Sequence, residues 1–406
     1  MKHAIAALLL CTGAPLLADP GLPPDPLARQ VIEAHPSVQA AMARIGSARA
    51  EERVLKAGPH EFIVSGSYVR RSAEREGDYD EYDATLMRAI RLPGKAALDR
   101  KAGAFGVVAA ENLAEDARHQ AALLLSDLWW EWMGASAEAA VDRQGIANYE
   151  AALAAMRRRV ALRDAAQIDA DQLAAALGDA RLAAAQPQGR ADYARVRLKA
   201  QFPALDVPSD APEAPLPALP DTGLTEMRDQ VVARSHEIGA ADAQAARLAA
   251  LAARANRDRL ADPSIGLRLF SERNGAERGA GVLFSMPLGN GARRGAAERA
   301  EAEALSAAAD LALTKGNVQE MATGDVVRAE AAYAAWLRAR EAVGAQVAAL
   351  EKLRRGQQLG AIDLADVLLG ERLTHAAFRT EALARTEAHR AINRLRIDSH
   401  NLWISD

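Results

Sequence analysis

The sequence carries the same arrangement twice. Residues 36–100 run from a helix-forming stretch into Pro59, through two short segments of alternating apolar residues, to Leu92-Pro93-Gly94-Lys95 and a long proline-free run. Residues 237–296 repeat that order with Pro263, two alternating segments, Met286-Pro287-Leu288-Gly289 and a second proline-free run. Pro93 and Pro287 lie 194 residues apart. A duplicated unit that places two strands between long helices admits few architectures. It outweighs the soft prior that 406 residues make two or more unrelated domains.

Proline placement maps the rest. Four of the 17 prolines fall at 20–26, an extended N-terminal arm, and six fall between Pro203 and Pro220. That density forbids helix and favours an extended linker strapped over the surface. The runs without proline are rich in Ala, Leu, Glu, Arg and Gln, the strong helix formers. They predict long helices over about 96–163 and 292–355, the second interrupted at Gly356 and Gly360. At 1.5 Å per residue each is on the order of 100 Å long. A shorter helix is expected after each, over 169–199 and 363–395. Half the residues are apolar, but aromatics are only 4%. Such a composition suits closely packed long helices better than a thick globular core.

The four strand candidates alternate. Phe62, Val64, Gly66 and Tyr68 share one face, with Ser65, Ser67 and Arg71 opposite. Over 82–92, Tyr82, Ala84, Leu86, Ile90 and Leu92 fall together and Arg88 breaks the pattern. Ile265, Leu267 and Leu269, then Ala280, Val282, Phe284 and Met286, repeat the alternation in the second half. Period-2 segments of this length match strands of an outer-membrane β-barrel. The charged connections 72–81 and 272–278 would then face the exterior.

The N-terminus reads as a secretory signal over residues 1–18. Lys2 is followed by the apolar stretch Ala4–Leu10, too short to span a bilayer, with cleavage after Ala18. The one cysteine, Cys11, lies inside it, preceded by Leu10 rather than the small residue a lipidation site takes. The mature chain is then cysteine-free, which excludes disulfides and thiolate chemistry. Its net charge moves only from −4 to −5, too small to imply a nucleic-acid partner. The expected layout is 19–202 first repeat, 203–224 linker and 225–406 second repeat.

Four strands cannot close a membrane barrel, and open edges in lipid leave backbone groups unpaired at several kcal/mol each. Several chains must share one barrel, and three would supply twelve strands. At this point the sequence resembles the TolC-type outer-membrane efflux proteins. The stretches that carry the likeness are His35-Pro-Ser-Val-Gln-Ala-Ala, Phe284-Ser-Met-Pro-Leu and Gly360-Ala-Ile-Asp-Leu-Ala-Asp-Val-Leu. Leu92-Pro-Gly-Lys95 is similar to the strand-to-helix junction of the heavy-metal efflux branch. The resemblance implies an α+β membrane protein of two tandem helix–strand–strand–long helix–helix repeats. It implies a homotrimer in outer-membrane lipid, with a twelve-stranded β-barrel continued by a periplasmic α-helical barrel. Such ducts do no chemistry and work with a periplasmic adaptor and an inner-membrane pump. The runner-up is a soluble periplasmic coiled-coil adaptor or structural rod.

Function then centres on the helix ends remote from the strands. Asp366 matches an aspartate that rings the aperture in the family, whereas the second ring position is Leu369 here, making an apolar constriction plausible. Asp363 and Asp169 are placed either to cap the following helix or to line the aperture. Arg354, Arg355, Gly356, Leu359 and Gly360, with Arg159 and Arg163 in the first repeat, are candidates for adaptor docking. Basic residues there equally suit the negative end of a helix dipole. Trp129, Trp130 and Trp132 are expected to pack between helices. Gly289-Asn-Gly291 reads as a strand-to-helix turn, since the nucleotide-binding spacing fails by one residue. Glu371 and His375 stand one turn apart and read as a surface pair. No cofactor, metal or catalytic constellation is expected.

Overall fold

Proline and helix propensity set the element boundaries seen in the computed structural model, which describes residues 21–289 and 291–404. The expected signal segment, residues 1–18 with Cys11, lies outside the described residues. In chain order the elements are α1 (Asp25–Glu33), α2 (Pro36–Ala57), β1 (Phe62–Ala73), β2 (Gly77–Ala89), α3 (Lys95–Ala161) and α4 (Gln167–Gln201). There follow α5 (Leu224–Ala233), α6 (His236–Asp258), β3 (Ser264–Glu272), β4 (Glu277–Ser285), α7 (Gly291–Gln358) and α8 (Leu364–Asp398). Both long helices form as expected, at 67 and 68 residues. Gly356 does not interrupt α7. A Cβ there would lie 2.8 Å from the Ile362 side chain, so the glycine lets the returning chain close over the helix. The 202–223 segment has neither helix nor strand, but Phe202, Leu205, Val207 and Ala214 are buried. Arg195 Nη2 donates to the Val207 carbonyl and Arg385 Nη1 to that of Ala214, which straps the linker down.

The chain divides into two compact units, each drawing segments from both sequence repeats. One comprises residues 1–35, 121–228 and 325–406, the other 36–120 and 229–324. The first unit is helical and has the deepest core, with Trp132, Leu125, Leu128, Met133, Leu198, Phe202, Leu395 and Ile397 almost fully buried. The three clustered tryptophans pack between helices as expected. Trp129 Nε1 donates to the Gly21 carbonyl at 2.8 Å, Trp129 meets Trp132 edge-on, and Trp130 stacks on His389.

The second unit carries one four-stranded antiparallel sheet in the order β1-β2-β3-β4. Two hairpins, one per repeat, join through β2 and β3, whose register runs from Tyr82↔Ser271 to Ala89↔Ser264. The strands differ from expectation at their ends. β2 starts at Gly77 and stops at Ala89, so Ile90 and Leu92 lie outside the ladder. The charged segment 272–278 turns through 273–276, as expected of a connection, whereas in 72–81 only 74–76 turn and the remaining residues are strand. Cross-strand ion pairs hold them: Arg71 with Glu81 at 2.6 Å and Arg70 with Asp78 at 3.1 Å, reinforced by Tyr68 donating to Asp80.

Candidate functional site

The sheet has two unlike faces. On one, three ladder rows are almost wholly apolar, Phe62·Arg88·Ile265·Phe284, Val64·Leu86·Leu267·Val282 and Gly66·Ala84·Leu269·Ala280, and a boundary row of Tyr68·Tyr82·Ser271·Arg278 follows them. The rows cover about 20 Å along the strands. None of the described residues covers them; Val64 is 77% and Val282 76% exposed. Tyr68 and Tyr82 touch at one margin, 5.3 Å between ring centroids, and Phe62 and Phe284 mark the other. Arg88, the exception, lays its guanidinium over the Phe62 ring and donates to the His60 carbonyl, turning its charge to the margin. The opposite face is mixed: it carries the Ser65–Thr85 hydrogen bond at 2.5 Å, the Asp83–Arg268 ion pair, Gly279 and Gly281, and also Phe270 and the apolar row Ile63·Met87·Gly266·Leu283.

The sheet joins α3 through a buried ionic chain that sequence reasoning missed. Lys95 is 1% exposed and has all three ammonium hydrogens engaged, by Asp262 Oδ1 at 2.7 Å, Asp258 Oδ1 at 2.8 Å and the Leu260 carbonyl at 2.8 Å. Asp262 also accepts from the Leu92 N–H and bonds His60 Nε2. Arg254 links Asp258 to Asp99, and Asp99 pairs with Arg91, which in turn donates to the carbonyls of Leu55, Lys56 and Ala57 at the end of α2. Burial opposes the charge on Asp262, yet the bonds from Lys95, His60 and the Leu92 N–H hold its carboxyl down at about 2.

In the helical unit, α3 and α7 end in turns of identical hydrogen-bond pattern. Arg163 N–H bonds the Val160 carbonyl and Asp164 N–H that of Arg159; Gly360 N–H bonds Gln357 and Ala361 N–H bonds Gly356. Arg163 and Gly360 both take left-handed backbone, at φ 60° and 72°. This is the glycine-type helix stop, made in the first repeat by an arginine. The two turns therefore correspond at a spacing of 197 residues. That spacing pairs Leu162 with Leu359, and each is 79% exposed at its turn. Leu162 escaped sequence reasoning, although the spacing of Arg157-Arg158 to Leu162 and Arg354-Arg355 to Leu359 would have exposed it.

The same correspondence pairs Asp169 with Asp366, not with Asp363. Asp363 occupies the N-cap position of α8 without a side-chain capping bond, and the N-cap of α4 is Ala166. Asp366 and Leu369 lie exposed on one side of α8, while Val367 and Gly370 are buried on the other. Leu364 and Leu368 pack on a cluster of Tyr149, Leu153, Met156 and Leu173, bringing the two turns together around a cavity of about 260 Å³. Of the basic candidates, Arg354 pairs with Glu371 at 3.0 Å and Arg159 with Asp164 at 2.9 Å; Arg355 and Leu359 are exposed. His375 bonds Asp142 at 2.8 Å, so Glu371 and His375 have separate partners.

Neither a family profile nor a curated protein matches the sequence. Solved structures match the architecture over almost its full length. The outer membrane protein VceC of Vibrio cholerae superposes with a TM-score of 0.75 at 17% identity, covering 93% of this chain and 96% of that one. The CmeC outer membrane channel of Campylobacter jejuni gives 0.73 at 14%, covering 94% and 87%. The open state of the MtrE outer membrane channel of Neisseria gonorrhoeae gives 0.70 at 16%, covering 93% and 89%. The chain has the outer-membrane-channel fold. The TolC-type resemblance of the sequence thus holds at the level of fold, mostly helical with one small antiparallel sheet. Within the channel fold the Leu92-Pro-Gly-Lys95 motif gains a structural meaning, because Lys95 anchors the sheet-to-helix junction.

Proposed function

We propose that this protein is the exit duct of a tripartite efflux system. Three copies form a passive outer-membrane channel that receives substrate from an inner-membrane pump through a periplasmic adaptor. The apolar sheet face carries this reading. A contiguous apolar surface with an aromatic pair at each margin fits lipid, and the face that carries Asp83, Arg268, Ser65 and Thr85 fits a water-filled lumen. The soluble-adaptor reading would leave the apolar face in water. Among the described residues, edge strands β1 and β4 have no partner on their outer sides. Because each chain supplies an even number of strands, β4 of one copy runs antiparallel to β1 of the next. Three copies then close twelve strands with no parallel seam and no open edge.

In that assembly the helix turns form the periplasmic end. Asp366 of three copies would ring the axis and attract cations, with Leu369 one turn beyond as an apolar constriction and Asp363 at the helix start. In planar bilayers the purified protein is expected to conduct, and divalent cations to block it. Asp366→Ala is expected to weaken the block several-fold. Recovery of the protein from the soluble periplasm without detergent would reject the duct. Unchanged cation block in the variant would reject the Asp366 ring alone.

The adaptor would dock on the paired leucines. Leu162 and Leu359 stand out beside Arg163 and Arg355, on turns shaped by Gly356, Gly360 and the Arg159–Asp164 and Arg354–Glu371 pairs. Photo-crosslinkers at 162 and at 359 are both expected to capture purified adaptor. Capture from neither position, with capture from the outer face of α4, would place docking elsewhere.

A further inference from the structure

The channel fold leaves one buried acidic contact without a role. Asp325, in the middle of α7, and Asp398, the last residue of α8, are each 2% exposed. Asp325 Oδ1 pairs with Arg328 on its own helix at 2.9 Å and with Arg394 of α8 at 3.3 Å. Arg394 Nε also lies 3.7 Å from Asp398 Oδ2. The Arg328 side chain is 58% exposed, so water screens much of its charge, and Arg394 serves both carboxylates. Asp325 Oδ2 is buried and receives no hydrogen bond from any N–H or O–H of the described residues. A buried carboxylate oxygen without a donor is costly, and a second carboxylate across from it repels. Asp398 also sits at the negative end of the α8 dipole, which opposes a second negative charge there.

We propose that Asp325 and Asp398 share one proton, and that this proton latches α7 to the C-terminal end of α8 in acid. A shared proton supplies the missing donor: one carboxyl donates to the other, and both repulsion and the orphaned oxygen disappear. Burial first, then the hydrogen bond and charge of Asp398, push the Asp325 carboxyl up to about 6 against the pull of Arg394 and Arg328. The latch secures a strained terminus. Immediately after Asp398 the chain packs Ser399, His400, Leu402, Trp403 and Ile404 into the core, with His400 and Trp403 both in left-handed backbone. A carboxyl raised in the closed state binds its proton there more tightly than when exposed. Stability from the latch is therefore full below about 4, declines as pH rises, and is gone above about 6. The inference concerns the helical unit and does not depend on the duct reading.

The test is hydrogen exchange of the full-length protein in detergent, corrected for intrinsic rates, from pH 4 to 7.5. Protection of residues 395–404 is expected to fall about 100-fold between pH 4 and pH 6.5 and then level off. Asp325→Asn, which keeps shape and can donate, is expected to abolish that dependence. A wild-type profile flat with pH, or the same fall in the variant, would overturn the latch. Should Asp325→Asn not fold, the infrared carboxyl band of the wild type decides. A buried protonated carboxyl titrating near pH 6 and lost in Asp398→Asn supports the latch, and its absence from wild type overturns it.

Discussion

Leu267→Arg is expected to abolish assembly in membranes, whereas Ser67→Arg is tolerated. Leu267 stands in the middle of the apolar rows, paired with Leu86 on one side and Val282 on the other. An arginine at the midplane of a barrel's lipid face costs about 2–4 kcal/mol. With one copy per chain, a threefold barrel carries that cost three times, on the order of 10 kcal/mol, comparable with the whole stability of a typical domain. Ser67 points to the opposite face, where Asp83 and Arg268 already place charge one strand or two away. Folding into lipid vesicles, followed by denaturant titration, separates the two variants. Equal behaviour would mean that the apolar face does not meet lipid.

Lys95→Met is expected to cost about 3–5 kcal/mol, measured by denaturant titration in detergent at pH 7. Removing one partner of a buried ionic cluster strands the others, and here Asp258 and Asp262 would face each other without their shared cation. The same cluster gives the wild type an acid limit. Asp262 is held at about 2, so its contribution is complete above the ordinary carboxylate range near 3.8 and is lost as pH falls through 2. With allowance for solvent screening this amounts to about 1–2 kcal/mol. A Lys95→Met protein as stable as wild type at pH 7, with the same acid profile, would show the cluster to be energetically neutral.

The parts legible in the sequence were those encoded by neighbours. Helix runs, proline breaks and period-2 alternation each depend on residues within a few positions, and α3, α7 and the faces of all four strands followed from them. The β2–β3 junction was not legible, because alternation gives a face but not a partner 180 residues away. The Lys95 cluster failed for the same reason: Asp258 and Asp262 lie more than 160 residues on. The end of the first hairpin was misjudged because charged residues read as loop, yet Arg70, Arg71, Asp78 and Glu81 pair across the ladder. At the turns the residue types differ, and only the backbone shows the correspondence: Arg163 adopts the conformation that Gly360 adopts in the second repeat.

The two long helices are rooted differently in the sheet. α3 starts at Lys95, gripped by three acceptors and backed by His60, Arg254, Asp99 and Arg91. α7 follows β4 through Leu288, 90% exposed, and Gly289 at φ 93°, where Arg293 donates to the Gly289 carbonyl at 2.9 Å. In mechanical terms the root of the first helix is a clamped beam end, and among the described residues Leu288 and Gly289 form no comparable clamp ahead of the second.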